Sequence, residues 1–394
     1  MNHKWLEVVF GSDKMVSSPE RRYAFIFRAG SLYFCSMNQY TPSRNWRFSR
    51  ARPRRIPEHA PGAKGRPAHH LPNGLFRNPP GSPMRDADMR AMLRFLARMA
   101  LNSRQPVEVP DGHVISERRA FAALQLANGA DSLTWLGHAS FLIRLAGKTI
   151  LTDPYLADYA GPNRFGPKRF VKSGIPTHLL PPADVLLISH NHYDHLDEVT
   201  LRRLPNKDAI QVVVPLRLGS FFLRRGFQRV VELDWEQSFC LDGLEITALP
   251  AVHWSRRNAH DTNRTLWAGF SLRGGGRHLF FGGDSAYGEV FRQIGERHGP
   301  FDTAMIGIGG YEPQTIMHAS HATPEEAVQI GRDIGARQLV GMHWGTVQLT
   351  EEPVFEPPRR FLAAGRALGY ADEDLWVMKI GETRLLTGES GENQ

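Results

Sequence analysis

Only two cysteines, Cys35 and Cys240, occur in 394 residues. That scarcity excludes a disulfide-built secreted domain and a Cys-rich zinc module, so any metal site must draw on histidine and carboxylate. Long apolar runs are missing as well. The nearest, YAFIFRAGSLYFCSM from Tyr23, is broken by Arg28 and falls short of the roughly 18–20 residues a spanning helix needs. It reads as a pair of strands, and it makes a poor signal peptide because it lacks a long apolar core with a small-residue cleavage site. Cytoplasmic residence is the expectation. Lysine is scarce too, 8 against 40 arginines, a bias that a GC-rich coding genome would also produce. The glycine run RGGGR at 273–277 lacks the Lys-Ser/Thr ending of a phosphate loop and reads as a hairpin turn.

Hydrophobic content of 41% and charge of 22% are globular values, so most of the chain should fold around a core. The charge is unevenly placed. Residues 1–120 carry 21 Lys+Arg against 9 Asp+Glu, a net of +12, and the other 274 carry 27 against 31, a net of −4. This predicts a basic, loosely ordered extension over 1–80 and one large domain over 81–385. RNWRFSRARPRR at 44–55 holds six arginines with a Trp and a Phe among them. It reads as a solvated arm or as a contact to a polyanion, nucleic acid or an anionic membrane surface. A start at Met15 or Met37 would remove part of the 1–80 extension. Next, DADMRAMLRFLARMAL predicts a helix over 86–103. Its stripe of Met89, Met92, Leu93, Leu96, Met99 and Ala100 should pack on the main domain, with Arg90, Arg94 and Arg98 on another face.

From Leu133 onward short apolar runs end in polar clusters, and these runs read as strands: LTWLGHASFLIRL, KTILTDPY, DVLLISH, AIQVVVPL, LEITALPAVH, TLWAGFSLR, RHLFFGGDS, TAMIGIGG and RQLVGMHW. The clearest helix start is TPEEAVQIGRDIGA, with Thr323 as N-cap, Pro324 at N1 and Glu326 as capping-box partner. Four of the strands run straight into a metal-ligand residue: His190, His253, Asp284 and His343. Where strands run together, their C-terminal ends converge on one edge, the edge where loops build sites.

SHNHYDHLD at 189–197 packs three histidines and two aspartates into nine positions. Such groups are costly to bury unless something satisfies them. His190 and His192, two apart in a turn, can converge on one ion with His253. Asp194 and His195, past the turn, can face a second ion with His343. The carboxylate of Asp284 can bridge. Imidazole and carboxylate suit Zn²⁺ at about 2.0–2.2 Å, so two zinc ions per chain are expected, with Asp194 and Asp284 as the catalytic carboxylates. Asp153, ending KTILTD, can orient a ligand histidine from behind or simply form a turn before Pro154. His138 reads as a structural histidine, His318 and His260 as surface residues, and Cys240 as buried and inert.

His190-Asn191-His192-Tyr193-Asp194-His195, followed by His253, Asp284 and His343, resembles the metallo-β-lactamase-fold signature over about 130–350. The resemblance implies an α/β fold, a four-layer αβ/βα sandwich with a dinuclear site at one edge. HHLPNGLFRNP, LTWLGHASFLI, ILTDPYLAD, YEPQTIM with HATPEEA, and MHWGTVQLTEEPVFEPP narrow it further. Together they look like the N-acyl-phosphatidylethanolamine-hydrolysing phospholipase D group, over about 69–370. That likeness implies a phosphodiesterase releasing N-acylethanolamine and phosphatidic acid by attack of a metal-bridged hydroxide. It places Tyr193 and His321 against the phosphate and suggests a homodimer. Ser320 is smaller than the polar residue expected beside that histidine, so head-group recognition would differ. The likeness implies a phospholipid substrate, while the charge asymmetry suggests peripheral contact of a cytoplasmic protein at the inner membrane surface, and without a separate nucleic-acid module no nucleic-acid partner is expected. Competing readings are a lactonase or other small-molecule hydrolase of the same fold, a nuclease, and a binding protein with structural metal only.

Overall fold

The computed structural model describes residues 67–386, apart from 86–87, 103–104 and 163–164, together with two short strands nearer the N-terminus. The chain divides into two units, Met1–Lys64 and Gly65–Gln394. In the first, β1 (Ile26–Arg28) and β2 (Ser31–Tyr33) pair antiparallel, as the broken apolar run predicts. The arginine-rich stretch at 44–55 lies outside the described residues.

The second unit is a sandwich of two seven-stranded mixed sheets. The first holds β3 (Ser132–Gly137), β4 (Ser140–Leu145), β5 (Lys148–Thr152), β6 (Val185–Leu187), β7 (Gln211–Pro215) and β8 (Arg229–Leu233), and β16 (Thr383–Leu385) is added beside β3. The second holds β9 (Ser238–Leu241), β10 (Leu244–Leu249), β11 (Gly269–Gly274), β12 (Arg277–Phe281), β13 (Phe301–Gly307), β14 (Ala336–Met342) and β15 (Leu375–Trp376) in sequence order. Side chains alternate across a pleated strand, and the sequence uses both faces. Leu133, Trp135, Phe141, Ile143, Ile150, Val185, Leu187 and Val213 point between the sheets, where they meet Ile246, Phe270, Leu272 and Phe281. Leu142, Leu151, Leu186, Val212 and Val214 point the other way, into a second apolar layer with Leu124, Leu201 and Phe222. Those three come from α2 (Glu117–Leu126), α3 (Glu198–Arg203) and α4 (Gly219–Leu223). With both faces covered, the central strands are buried throughout, which is why they read as unbroken apolar runs.

On the far side of the second sheet lie α5 (Val290–His298), α7 (Pro324–Asp333) and α8 (Pro357–Ala367), with the short α6 (Gln314–Met317) before α7. α7 begins with the expected capping box, Thr323 and Glu326 each satisfying the other's backbone N–H. The RGGGR run turns β11 into β12.

Four expectations are corrected. The helix forms as α1 (Met89–Asn102), but only Phe95 is buried. Met89, Leu93 and Leu96 are more than half exposed and do not pack on the core, so the periodic stripe gave the helix and not its partner. Cys240 is exposed, because β9 is an edge strand with an alternately open face. His318 is half-buried and its Nδ1 donates to the Gln314 carbonyl at 2.7 Å, while His260 is exposed as expected. Residues 67–80, read as the end of the extension, lie in the second unit and bury Phe76 there.

Candidate metal centre

β10, β12, β13 and β14 run in one direction, because β10 and β12 are both antiparallel to β11 and the rest pair parallel. The loops after β10, β12 and β14 therefore leave the same edge of the second sheet, carrying His253, Asp284 and His343. The turn after β6 delivers 190–195 from the first sheet. Asp284 sits at the junction of the two sheets.

All seven expected ligand residues converge there, in two groups. In one, His190 Nε2 lies 2.8 Å from His192 Nδ1, which lies 3.2 Å from His253 Nε2. Asp284 Oδ2 is 3.9 Å from His190 Nε2 and 3.7 Å from His253 Nε2. In the other, Asp194 Oδ2 is 3.5 Å from both His195 Nε2 and His343 Nε2. Asp284 closes this group as well, with Oδ2 3.1 Å from His195 and Oδ1 3.3 Å from His343. One carboxylate thus belongs to both groups.

Whether these residues fit metal ions can be judged from their own bonding. His192 Nε2, His195 Nε2, His343 Nε2 and Asp284 Oδ1 are buried without a hydrogen-bond partner. Burying such atoms unpaired costs about 1–3 kcal/mol each, and His195 Nε2, His343 Nε2 and the Asp284 carboxylate, which face one another, are the donor set of a cation site. Each group offers nitrogen and carboxylate donors close enough to share an ion. The residues fit.

Protonation follows the same logic. Burial pushes His253 down to about 3 and His192 to about 4, and it takes His190 well below its ordinary value. These imidazoles are neutral and ready to ligate. At His195 and His343 burial acts in the same sense but is outweighed by Asp284 and Asp194, so His195 rises well above its ordinary value and His343 to about 9. The two carboxylates thus favour positive charge in the space between these rings.

The ligands are held from behind. Asp153 is fully buried; its Oδ2 accepts from His195 Nδ1 at 2.7 Å and from Ser189 Oγ at 2.5 Å, and its Oδ1 accepts from Ser189 N at 2.7 Å. Ser189 Oγ in turn contacts His190 Nδ1 at 2.9 Å, so one carboxylate orients a ligand in each group. His253 Nδ1 donates to the Ser320 carbonyl at 2.8 Å. Gly283 has φ +56, and a Cβ there would lie 2.6 Å from Ser189 Cβ, so glycine lets β12 deliver Asp284 against β6.

His138, expected to be structural, does more. Its Nε2 donates to Asp194 Oδ2 at 2.9 Å, its carbonyl accepts from His343 N at 3.1 Å, and its ring lies 3.9 Å from that of His343, tilted by 40°. Its backbone has φ +55 and that of His343 φ +64. Non-glycine residues adopt this region at a cost of about 1–3 kcal/mol each, kept where the surroundings over-determine the geometry. The GHAS string carried the histidine but not its partners, which are 56 and 205 positions away.

His321 stands at the rim, its Nδ1 4.0 Å from Asp284 Oδ2 and its ring 5.2 Å from those of His253 and His343. Burial pushes it down to about 3, so it is neutral at pH 7. Tyr193 is engaged differently: its hydroxyl donates to the Arg257 carbonyl at 3.1 Å under the Arg257 guanidinium. Arg257 Nη1 also donates to the carbonyls of Asn191 (3.1 Å) and Leu196 (2.8 Å), clasping both ends of the ligand turn.

The β-lactamase superfamily domain model matches residues 148–344. The N-acyl-phosphatidylethanolamine-hydrolyzing phospholipase D 1 of Caenorhabditis elegans is 38% identical over 271 residues, 66% of this chain and 74% of that protein. The mitochondrial enzyme of that name from Saccharomyces cerevisiae is 34% identical over 257 residues, with 64% of this chain and 55% of the relative covered. Uncharacterized Mycobacterium tuberculosis Rv0906 is 39% identical over 239 residues, 59% of this chain and 63% of its own length. Among solved structures, Igni18, a metallo hydrolase from Ignicoccus hospitalis, shares the fold with TM-score 0.50 and 22% identity, over 65% of this chain and 97% of its own. An isothiocyanate hydrolase from Delia radicum gut bacteria gives TM-score 0.52 and 18% identity, over 64% and 98%. The chain belongs to the β-lactamase superfamily, in the branch of the N-acyl-phosphatidylethanolamine-hydrolysing phospholipase D-like proteins, and is a metal-dependent hydrolase.

Proposed function

We propose that this chain is a dinuclear zinc phosphodiesterase that hydrolyses N-acyl-phosphatidylethanolamine, or a related phospholipid, to N-acylethanolamine and phosphatidic acid. The observation that carries the reading is Asp284, a single carboxylate within reach of two separate donor groups, in a chain whose relatives bear that activity in their names. His190, His192 and His253 would hold one ion, Asp194, His195 and His343 the other, with Asp284 shared. Bound divalent cations supply charge neutralisation for a phosphodiester and a nucleophile at neutral pH by lowering the pKa of water.

The chain's own residues do the rest. Asp153 and Ser189 fix the ring orientation of His195 and His190, so the ligand nitrogens are preorganised before substrate arrives. His138 holds Asp194 with a hydrogen bond, leaving that carboxylate one orientation. His321, neutral and at the rim, can donate to a phosphate oxygen without adding a buried charge. Outside the centre, α1 exposes Leu93 and Leu96 along with Arg90 and Arg94, a composition suited to an anionic bilayer surface. With the basic extension, it would place the chain peripherally at the inner membrane surface. A homodimer and no nucleic-acid partner complete the proposal.

The test compares zinc-loaded protein on N-acyl-phosphatidylethanolamine vesicles with a panel of lactones, at several salt concentrations. Turnover of the lipid and not the lactones supports the proposal. Turnover of lactones alone moves the chain to the small-molecule hydrolases. Steeply salt-dependent cleavage of RNA would reveal a nuclease.

A further inference from the structure

Residues 67–78 precede the matched superfamily domain, yet they reach its metal centre. The segment is tied down at its start by an unusual pairing: His69 Nε2 donates to Asp234 Oδ1 at 2.7 Å and His70 Nε2 to Oδ2 at 2.8 Å. The His69 ring also stacks on Trp235, with centroids 4.1 Å apart. A tight turn follows, closed by Leu71 N to Leu75 O at 2.9 Å. Phe76 is then fully buried under the Arg217 guanidinium, and its N–H donates to Asn263 O at 2.8 Å. Two residues later Asn78 Oδ1 accepts from the backbone N–H of His253 at 2.9 Å and from Trp267 Nε1 at 3.1 Å. His253 is thereby held at both ends, its main chain by Asn78 and its ring by the Ser320 carbonyl.

We propose that residues 67–78 form a positioning arm. Asn78 sets the His253 main chain, and so the metal position shared by His190, His192 and His253, while the His69–Asp234–His70 clamp keeps the arm docked. These three clamp residues have metal-ligand chemistry of their own, but their bonding separates them from the centre. Each Nε2 has its own carboxylate oxygen, and none of these atoms is a buried orphan, whereas the centre holds such orphans at His192, His195, His343 and Asp284. The clamp is satisfied as it stands, without an ion. The inference rests on the metal centre proposed above and not on the choice of substrate.

The test is stepwise Co²⁺ binding to the full, metal-stripped chain, followed by visible absorption and chelator competition, with melting temperatures measured in parallel. Asn78→Ala should weaken one of the two steps about tenfold and leave the other within twofold, while Asn78→Asp, which keeps the acceptor oxygen, stays near the wild type. The His69→Ala/His70→Ala double variant should reproduce the selective loss. Binding and docking are reciprocal, so metal loading of the wild type should slow amide exchange at His253 and across 75–78. Unchanged steps in Asn78→Ala overturn the proposal, as do two steps lost in parallel with the melting temperature. If Asn78→Ala does not fold, the wild-type exchange decides: no change on loading overturns it. A third metal equivalent that the double variant loses would overturn the hydrogen-bonded clamp.

Discussion

Replacing Asp153 with asparagine changes one oxygen to an NH₂ group and leaves the volume almost constant, so it isolates what this carboxylate does. In the wild type it accepts from His195 Nδ1, Ser189 N and Ser189 Oγ while fully buried. Asparagine can still receive the Ser189 backbone N–H through its oxygen, but its NH₂ must then face His195 Nδ1. A donor there forces the imidazole proton onto Nε2, the atom that faces Asp194 and Asp284. That atom can no longer ligate. A wrong tautomer at a histidine held by a buried carboxylate is known to cost about four orders of magnitude in rate in serine proteases. Supporting groups behind metal ligands cost about 10–100-fold in affinity. Asp153→Asn is therefore expected to weaken the step that uses His195 by about 10–100-fold and to lower kcat at least as much, with the other step within threefold. Competition with a fluorescent zinc chelator measures both steps, and kcat is taken at saturating zinc. Equal affinities in variant and wild type would refute the tautomer argument, and a uniform loss of both steps would reduce Asp153 to a packing role.

Four further outcomes follow from the structure. Zinc must displace the proton that carboxylates hold on His343, raised to about 9, so loading at pH 7.5 should release protons and tighten as pH rises toward 9; titration calorimetry in buffers of different ionisation enthalpy counts them. In the stripped protein, that raised value means the His343 contribution to stability is complete below about pH 6.5 and lost as pH climbs through about 9, so its melting temperature should fall over that window while the loaded protein's does not. Asp284→Asn should lower kcat by roughly 10²–10³-fold or more, the cost of removing one preorganised electrostatic element, read as initial rates at fixed metal content. Leu93→Glu with Leu96→Glu, on the exposed face of α1, should change stability by no more than about 0.5 kcal/mol, yet sharply reduce co-sedimentation with anionic vesicles; unchanged sedimentation would remove α1 from the membrane proposal.

The centre was legible in the sequence because its ligands sit at the ends of buried strands. An unbroken apolar run followed at once by His or Asp is a local pattern, and four of them fix an edge. What stayed hidden depends on contacts across the chain. His138 gains its role from Asp194 and His343, and Asn78 from a backbone N–H 175 positions away. The α1 stripe misled because helical periodicity shows that a face is apolar and not what covers it; only Phe95 finds the core. Cys240 followed its apolar neighbours in sequence but lies on an edge strand, a property of topology. The short β15 and β16, two and three residues long, carry too little pattern to be seen, though β16 completes the first sheet beside β3.

The most direct measurement is product analysis by mass spectrometry after zinc-loaded protein meets N-acyl-phosphatidylethanolamine vesicles in ¹⁸O-enriched water, with Asp284→Asn in parallel. The account predicts N-acylethanolamine and phosphatidic acid from the intact centre alone, with the heavy oxygen in the phosphatidic acid. Two bound metals per chain without either product, or heavy oxygen in the released alcohol, would contradict it.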